Sequence, residues 1–150
     1  MLAYLLQHLI FCAVRPHEHP EYRTHLLLPG QSQTLADIPQ AAARAQLAQW
    51  LAYFRLGQSR PLPFFAKTGL AVAEVLSSNK ADSLERAQQS ARSEYHGSKK
   101  STGQRDYIEV DLVFGRDSTE PIDTPLFWNL LEDLLVPLLQ ALQAEAATAD

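Results

Sequence analysis

Cysteine occurs once in the 150 residues, at Cys12. One thiol closes no internal disulfide and builds no Cys-based zinc site, and it fits a reducing compartment such as the cytoplasm. Basic excess is missing too: 13 Lys and Arg stand against 17 Asp and Glu, a formal net charge of −4. Dedicated nucleic-acid-binding modules usually carry the opposite balance. No apolar run is long enough for a spanning helix, which needs ~20 residues. The run from Met1 to Val14 is interrupted by Gln7 and His8 and has no basic residue before it. Neither a Gly-rich phosphate loop nor a Gly-x-Ser-x-Gly elbow is present. What remains is 46% apolar and 20% charged, which suits one folded domain with a core of its own and argues against disorder.

Periodicity and punctuation predict a mixed α/β order. Leu2, Leu5, Leu6, Leu9 and Ala13 make one face of an amphipathic helix, stopped by Arg15-Pro16 because the residue before a proline avoids helix. A chain that opens inside a helix with no cap before it reads as cut from something longer, here as a single domain over 1–150 whose tail (143–150) frays. Residues 15–23 read as a polar loop, Thr24 to Leu28 as a buried strand ending at Pro29-Gly30, and 29–37 as more loop. Pro39 suits the first turn of the next helix and Gly57 a left-handed residue after its end, with Leu47, Trp50, Leu51 and Phe54 as its buried stripe. Leu62 to Phe65 is an edge segment or packed loop, because prolines interrupt it. Helices are expected over Ala66 to Ser77 and Asp82 to Tyr95; Asp82 and Glu85 have capping-box spacing and Gly97 ends the second. His96 to Arg105 reads as a flexible basic loop. Asp106 to Phe114 alternates like a strand, with Ile108, Val110, Leu112 and Phe114 on one side and Tyr107, Glu109, Asp111 and Val113 on the other. Thr124 and Pro125 open a last helix with a wide leucine stripe, kinked at Pro137.

On such a strand Glu109 and Asp111 project from one face and could share a divalent metal. Restriction-type nucleases add an acid-x-Lys on the next strand. None of Lys67, Lys80, Lys99 and Lys100 follows an acid by two positions on a strand, so the competing reading is an ordinary solvated strand face. His17, His19 and His25 with Glu18 and Glu21 offer a weak metal pattern against a plain polar loop. Lys99, Lys100 and Arg105 are candidate phosphate contacts or simply a solvated loop. Cys12 reads as a structural thiol, and Trp50 and Trp128 as core or interface. The stripes of the first and last helices exceed what a short chain easily covers. They make Leu2, Leu5, Leu9, Phe127, Leu131, Leu134 and Leu138 candidate partner contacts.

Two stretches carry a family likeness. One runs from Leu47-Ala48-Gln49-Trp50-Leu51 to Gly57 and on through Pro61-Leu62-Pro63-Phe64-Phe65. The other runs from Asp106-Tyr107 through Phe127-Trp128 to Leu134-Leu135-Val136-Pro137-Leu138-Leu139. Together they resemble the C-terminal domain of the exodeoxyribonuclease V gamma subunit, RecC, of the bacterial RecBCD helicase–nuclease. The resemblance implies that the chain is the C-terminal piece of a larger subunit, with a restriction-endonuclease-like fold, a small sheet flanked by helices, without its catalytic motif. It implies a scaffold that needs no cofactor, partners RecB- and RecD-type subunits in a heterotrimer, and guides strands at DNA double-strand breaks for recombinational repair, with Glu109 and Asp111 as a vestigial metal site. An active metal-dependent nuclease using those two acids, or a stand-alone DNA-binding module, are the alternatives.

Overall fold

The computed structural model describes residues 1–16, 23–28, 31–78, 81–98, 101–115 and 119–143. It is mostly helical, with two small two-stranded antiparallel sheets. The chain divides into two compact units, 1–53 with 137–150 and 54–136.

In the first unit α1 (Leu2–Val14) buries Leu5, His8, Leu9, Cys12 and Ala13; Leu5, Leu9 and Ala13 belong to the expected face, whereas Leu2 and Leu6 are half-buried and the buried side is turned toward His8 and Cys12. Strand β1 (Thr24–Leu28) pairs antiparallel with β2 (Gln31–Leu35), Thr24 opposite Leu35 and Leu28 opposite Gln31. The loop expected over 29–37 is thus replaced in part by a strand. Its Gln-Ser-Gln-Thr-Leu sequence has no apolar alternation, and the strand exists because β1 offers it a ladder. The expectation that β1 is buried is also corrected: Leu26 is buried, while Leu27 is 86% exposed. Helix α2 (Gln40–Gly57) starts where Pro39 predicts, the Pro39 carbonyl accepting from Ala43 N–H at 2.9 Å. Its stripe is a correction. Ala43 is fully buried, whereas Leu51 and Phe54 are exposed, because the small alanine turn makes the close approach. Gly57 is the last helical residue rather than a left-handed one.

Side chains of α2 close the end of α1. The Gln40 amide donates to Arg15 O at 2.7 Å, and Arg44 Nε donates to Ala13 O at 2.9 Å. Carbonyls at a helix C-terminus lack helical partners, and a guanidinium there also complements the helix dipole.

The second unit packs α3 (Ala66–Ser77) against α4 (Ser83–His96). Asp82 precedes α4, but its side chain makes no cap bond and instead lies 3.8 Å from Arg86. Gly97 does end α4, at φ +73°, a conformation that glycine adopts without strain. The expected flexible loop is partly ordered: β3 (Gly97–Ser98) pairs with β4 (Ser101–Thr102), followed by a 3₁₀ turn over Gln104–Asp106. The strand expected over 106–114 is instead helix α5 (Ile108–Phe114), with none of its residues buried. A second 3₁₀ turn (Pro121–Asp123) leads to α6 (Pro125–Leu130). There Thr124 Oγ1 accepts from Phe127 N–H at 3.4 Å, and Pro125 takes the first turn as expected. A π-helical turn (Leu131–Leu135) then precedes α7 (Val136–Gln143). It sits just before Pro137, whose missing N–H interrupts the helical ladder.

The core of this unit centres on Phe65. Its ring lies 5.2 Å from Tyr95, 5.6 Å from Phe114 and 6.3 Å from Phe127, centroid to centroid. Such tilted aromatic pairs add ~0.5–1.5 kcal/mol each beyond burial. Helix α3 reaches the π turn through Gly69, where a Cβ would meet Leu135 Cδ1 at 2.9 Å and Leu131 Cδ2 at 3.0 Å. Gly69→Val should therefore lower the unfolding free energy by about 1–3 kcal/mol through overpacking. Urea denaturation of the variant checks this, and Gly69→Ala should cost less because leucine tips can turn aside.

Candidate functional site

Helix α5 decides the fate of the acidic pair. Tyr107 enters it in an extended conformation (φ −74°, ψ 132°) and its carbonyl accepts from Val110 and Asp111 N–H at 3.0 and 3.1 Å. Gly115, at φ +68°, closes it by donating to Asp111 O at 2.9 Å. Glu109 and Asp111 fall in its first turn, where carboxylates suit the dipole. On a helix, residues two apart point about 200° away from each other. The two acids expected to share a metal are thus sent to opposite flanks. The helical period wins because Val110, Val113 and Phe114 then lie on one side, and Phe114 reaches Phe65.

That side of α5 borders an open groove of about 600 Å³, lined among others by Arg60, Phe64, Gln104, Glu109, Val113 and Phe114. Sequence reading missed it. Its only signals were the Pro-rich segment after α2 and the aromatic residues on it, and nothing in the order of residues says that α5 forms the opposite wall. Gln104 also serves α3, its Oε1 accepting from Thr68 N–H at 2.9 Å and from Thr68 Oγ1 at 2.7 Å.

Of the proposed basic contacts, Lys99 and Lys100 lie outside the described residues. Arg105 is already engaged: its Nη1 donates to Glu120 Oε1 at 3.0 Å, while His96 Nε2 meets Glu120 Oε2 at 2.9 Å. Burial, with the Glu120 charge adding to it, pushes the nearby Tyr95 hydroxyl above its ordinary range, and Arg105 opposes this. Lys67 pairs with Glu94 at 2.8 Å, and the hydrogen bond it donates to that carboxylate holds its ammonium above the usual value.

The leucine stripes turn inward. Leu5, Leu9, Phe127, Leu131, Leu134 and Leu138 are buried within the chain itself, and Leu2 is half-buried. The apolar side chains left in water are others, including Phe11 and Val14 on α1 and Ile108 and Leu112 on α5.

A buried polar cluster joins α1 to the hairpin and the segment after it. His8 Nε2 lies 2.6 Å from Ala36 O, and Nδ1 lies 2.8 Å from Thr24 Oγ1. A carbonyl only accepts, so Nε2 carries the hydrogen. The Cys12 thiol lies 3.6 Å from His8 Nε2 and donates to Asp37 Oδ1 at 3.7 Å, and Arg15 forms an ion pair with the same carboxylate. Although the sequence holds a cysteine, a histidine and an acid here, this is no activated nucleophile. Burial raises the thiol above its ordinary 9.0 and the Asp37 charge adds to that, against a lowering backbone hydrogen bond at Ile38. A protonated thiol is a poor nucleophile. Of the other metal candidates, His17, Glu18, His19 and Glu21 lie outside the described residues, and His25 Nδ1 bonds Thr34 Oγ1 at 3.0 Å. No group of three His, Cys, Asp or Glu side chains among the described residues is arranged to hold a metal ion.

The elements define a mostly helical α/β module, in which no helix of the described residues is long and apolar enough to cross a membrane. The family model of the RecC C-terminal domain matches residues 1–77, about half of the chain, and the chain belongs to that family. It is thus a module of a RecC-type subunit of a DNA-repair complex. No curated protein matches it.

The raised thiol sets a pH dependence. A group whose folded pKa lies above its unfolded one contributes its full stability below the unfolded value, here 9.0, and loses it as pH rises through the folded value. Thermal midpoints should therefore fall above pH 9, and Cys12→Ala should flatten that fall. In parallel, an aromatic disulfide reagent should label Cys12 only as the chain unfolds.

Proposed function

We propose that the chain is a non-catalytic structural module of a RecBCD-type helicase–nuclease working in the cytoplasm. It holds RecB- and RecD-type subunits together and guides separated strands from DNA ends. The family match over residues 1–77 carries this reading. The divergence of Glu109 and Asp111 on α5 supports a scaffold over a metal-dependent nuclease. The restriction-endonuclease-like ancestry belongs to this proposal rather than to the fold described above, since the segment of its acidic strand is helical in this chain.

For a strand contact the groove beside α5 is better suited than Arg105, which is committed to Glu120. It combines an exposed guanidinium, Arg60, with the half-buried rings of Phe64 and Phe114, the pairing that lets a protein hold phosphates and stack bases regardless of sequence. Lys99 and Lys100 remain proposed phosphate contacts on the strength of their sequence alone.

Co-expression with RecB- and RecD-type subunits from the same genome tests the module directly. Retention of either subunit through a high-salt wash is the expected result, and loss of both would sink the reading. Within a retained complex, Arg60→Ala should reduce the slope of log K against log[salt] for single-stranded DNA by about 1. An unchanged slope would move the strand path away from the groove.

A further inference from the structure

We propose that the outer face of α5 is the docking surface for a basic amphipathic helix of a partner protein; this names one contact of the module proposed above. Ile108 and Leu112 stand one turn apart, 69% and 80% exposed, and form an apolar ridge on the side away from the groove. Glu109 borders the ridge on one flank and Asp111 on the other. Exposed Tyr107 and Asp106 extend it toward the helix start. Among the described residues the carboxylates of Asp106 and Glu109 have no ion-pair partner.

Charge selects the occupant. An apolar ridge bordered by acids on both sides complements a helix whose apolar seam is bordered by Lys or Arg, the arrangement that fixes partner choice between paired helices. A second copy of this face would set carboxylates against carboxylates, which is repulsive. DNA phosphates and anionic lipid headgroups meet the same repulsion. The helix itself also calls for cover: seven residues are marginal as an isolated helix, and this one buries none of them.

The test is fluorescence anisotropy of a labelled designed peptide, Leu at its a and d positions and Lys at e and g, titrated with the whole chain. A peptide with Glu in place of Lys is the control. The Lys peptide should bind, with affinity falling as salt rises, and the Glu peptide should not. Leu112→Asp should weaken binding by about tenfold or more and Glu109→Lys by a few-fold. Both side chains lie in solvent, so circular dichroism should show unchanged helicity, and Ile108→Asp supplies a second variant. Equal binding of the two peptides would overturn the proposal, as would indifference to Leu112→Asp. Concentration-dependent dimerisation abolished by Leu112→Asp would overturn it in favour of a second copy. No other subunit enters this readout, so its failure removes the α5 surface and leaves the module reading to the co-expression result.

Discussion

The amide oxygen of Gln104 receives both the backbone N–H and the hydroxyl of Thr68, and the placement of α5 follows from that joint. Helix α3 begins at Ala66 after Phe65, which has no side chain able to cap it. Its first-turn N–H groups need an acceptor from elsewhere. Gln104 provides one from a 3₁₀ turn that is distant in sequence and packs against α4. The turn is thereby fixed, and Tyr107 and α5 must leave it in one direction. Phe114, at the far end of α5, then meets Phe65. A helix that buries no residue of its own is held at both ends by groups it does not contain. Hydrogen bonds left unmade in such a place cost ~1–3 kcal/mol each, so the acceptor at residue 104 matters more than anything inside α5.

How much of this was legible in the sequence depends on range. Helix α3 was read to the residue, and the Thr124–Pro125 start of α6 was read with its capping geometry, because both signals are local. Helix α1 followed from a clean period, as did Leu5, Leu9 and Ala13 on its buried side. The segment 106–114 was read as a strand because Ile108, Val110, Leu112 and Phe114 alternate and two of them are β-branched. Propensity of that kind describes a half-buried pleated surface, and no such surface is offered to it here. What it meets is an aromatic cluster on one side and water on the other, and a helix satisfies its backbone without any neighbour. Strand β2 failed in the reverse sense. Nothing in Gln31 to Leu35 announces a strand, and only the ladder from β1 makes it one.

The same dependence governs the site residues. Glu109 and Asp111 are two positions apart in any reading, but whether they converge is set entirely by the period, 2 or 3.6, of the backbone beneath them. The leucine stripes were read as surplus apolar surface because a one-dimensional count cannot see that the π turn lies along α3. His8 and Cys12 lie beside the face expected to be buried, and their burial is bought by polar partners at Thr24, Ala36 and Asp37 that are far away in sequence.

Net acidity gains a physical role in this picture. A module of a DNA-processing complex with a formal charge of −4 is poorly made to grip phosphates over its whole surface. Its described cations are largely tied down: Arg15 to Asp37, Lys67 to Glu94 and Arg105 to Glu120. Pairing of this kind leaves the surface field to the carboxylates, and a negative field repels nucleic acid everywhere except where a local cation such as Arg60 stands free in a groove. In the proposed role, such a field confines a strand to a narrow path and leaves the remaining surface for protein. The exposed apolar ridge of α5, bordered by acids, is consistent with this division, since desolvating Ile108 and Leu112 supplies affinity while the carboxylates set which helices are accepted. A uniformly basic module would gain DNA affinity and lose both kinds of selection.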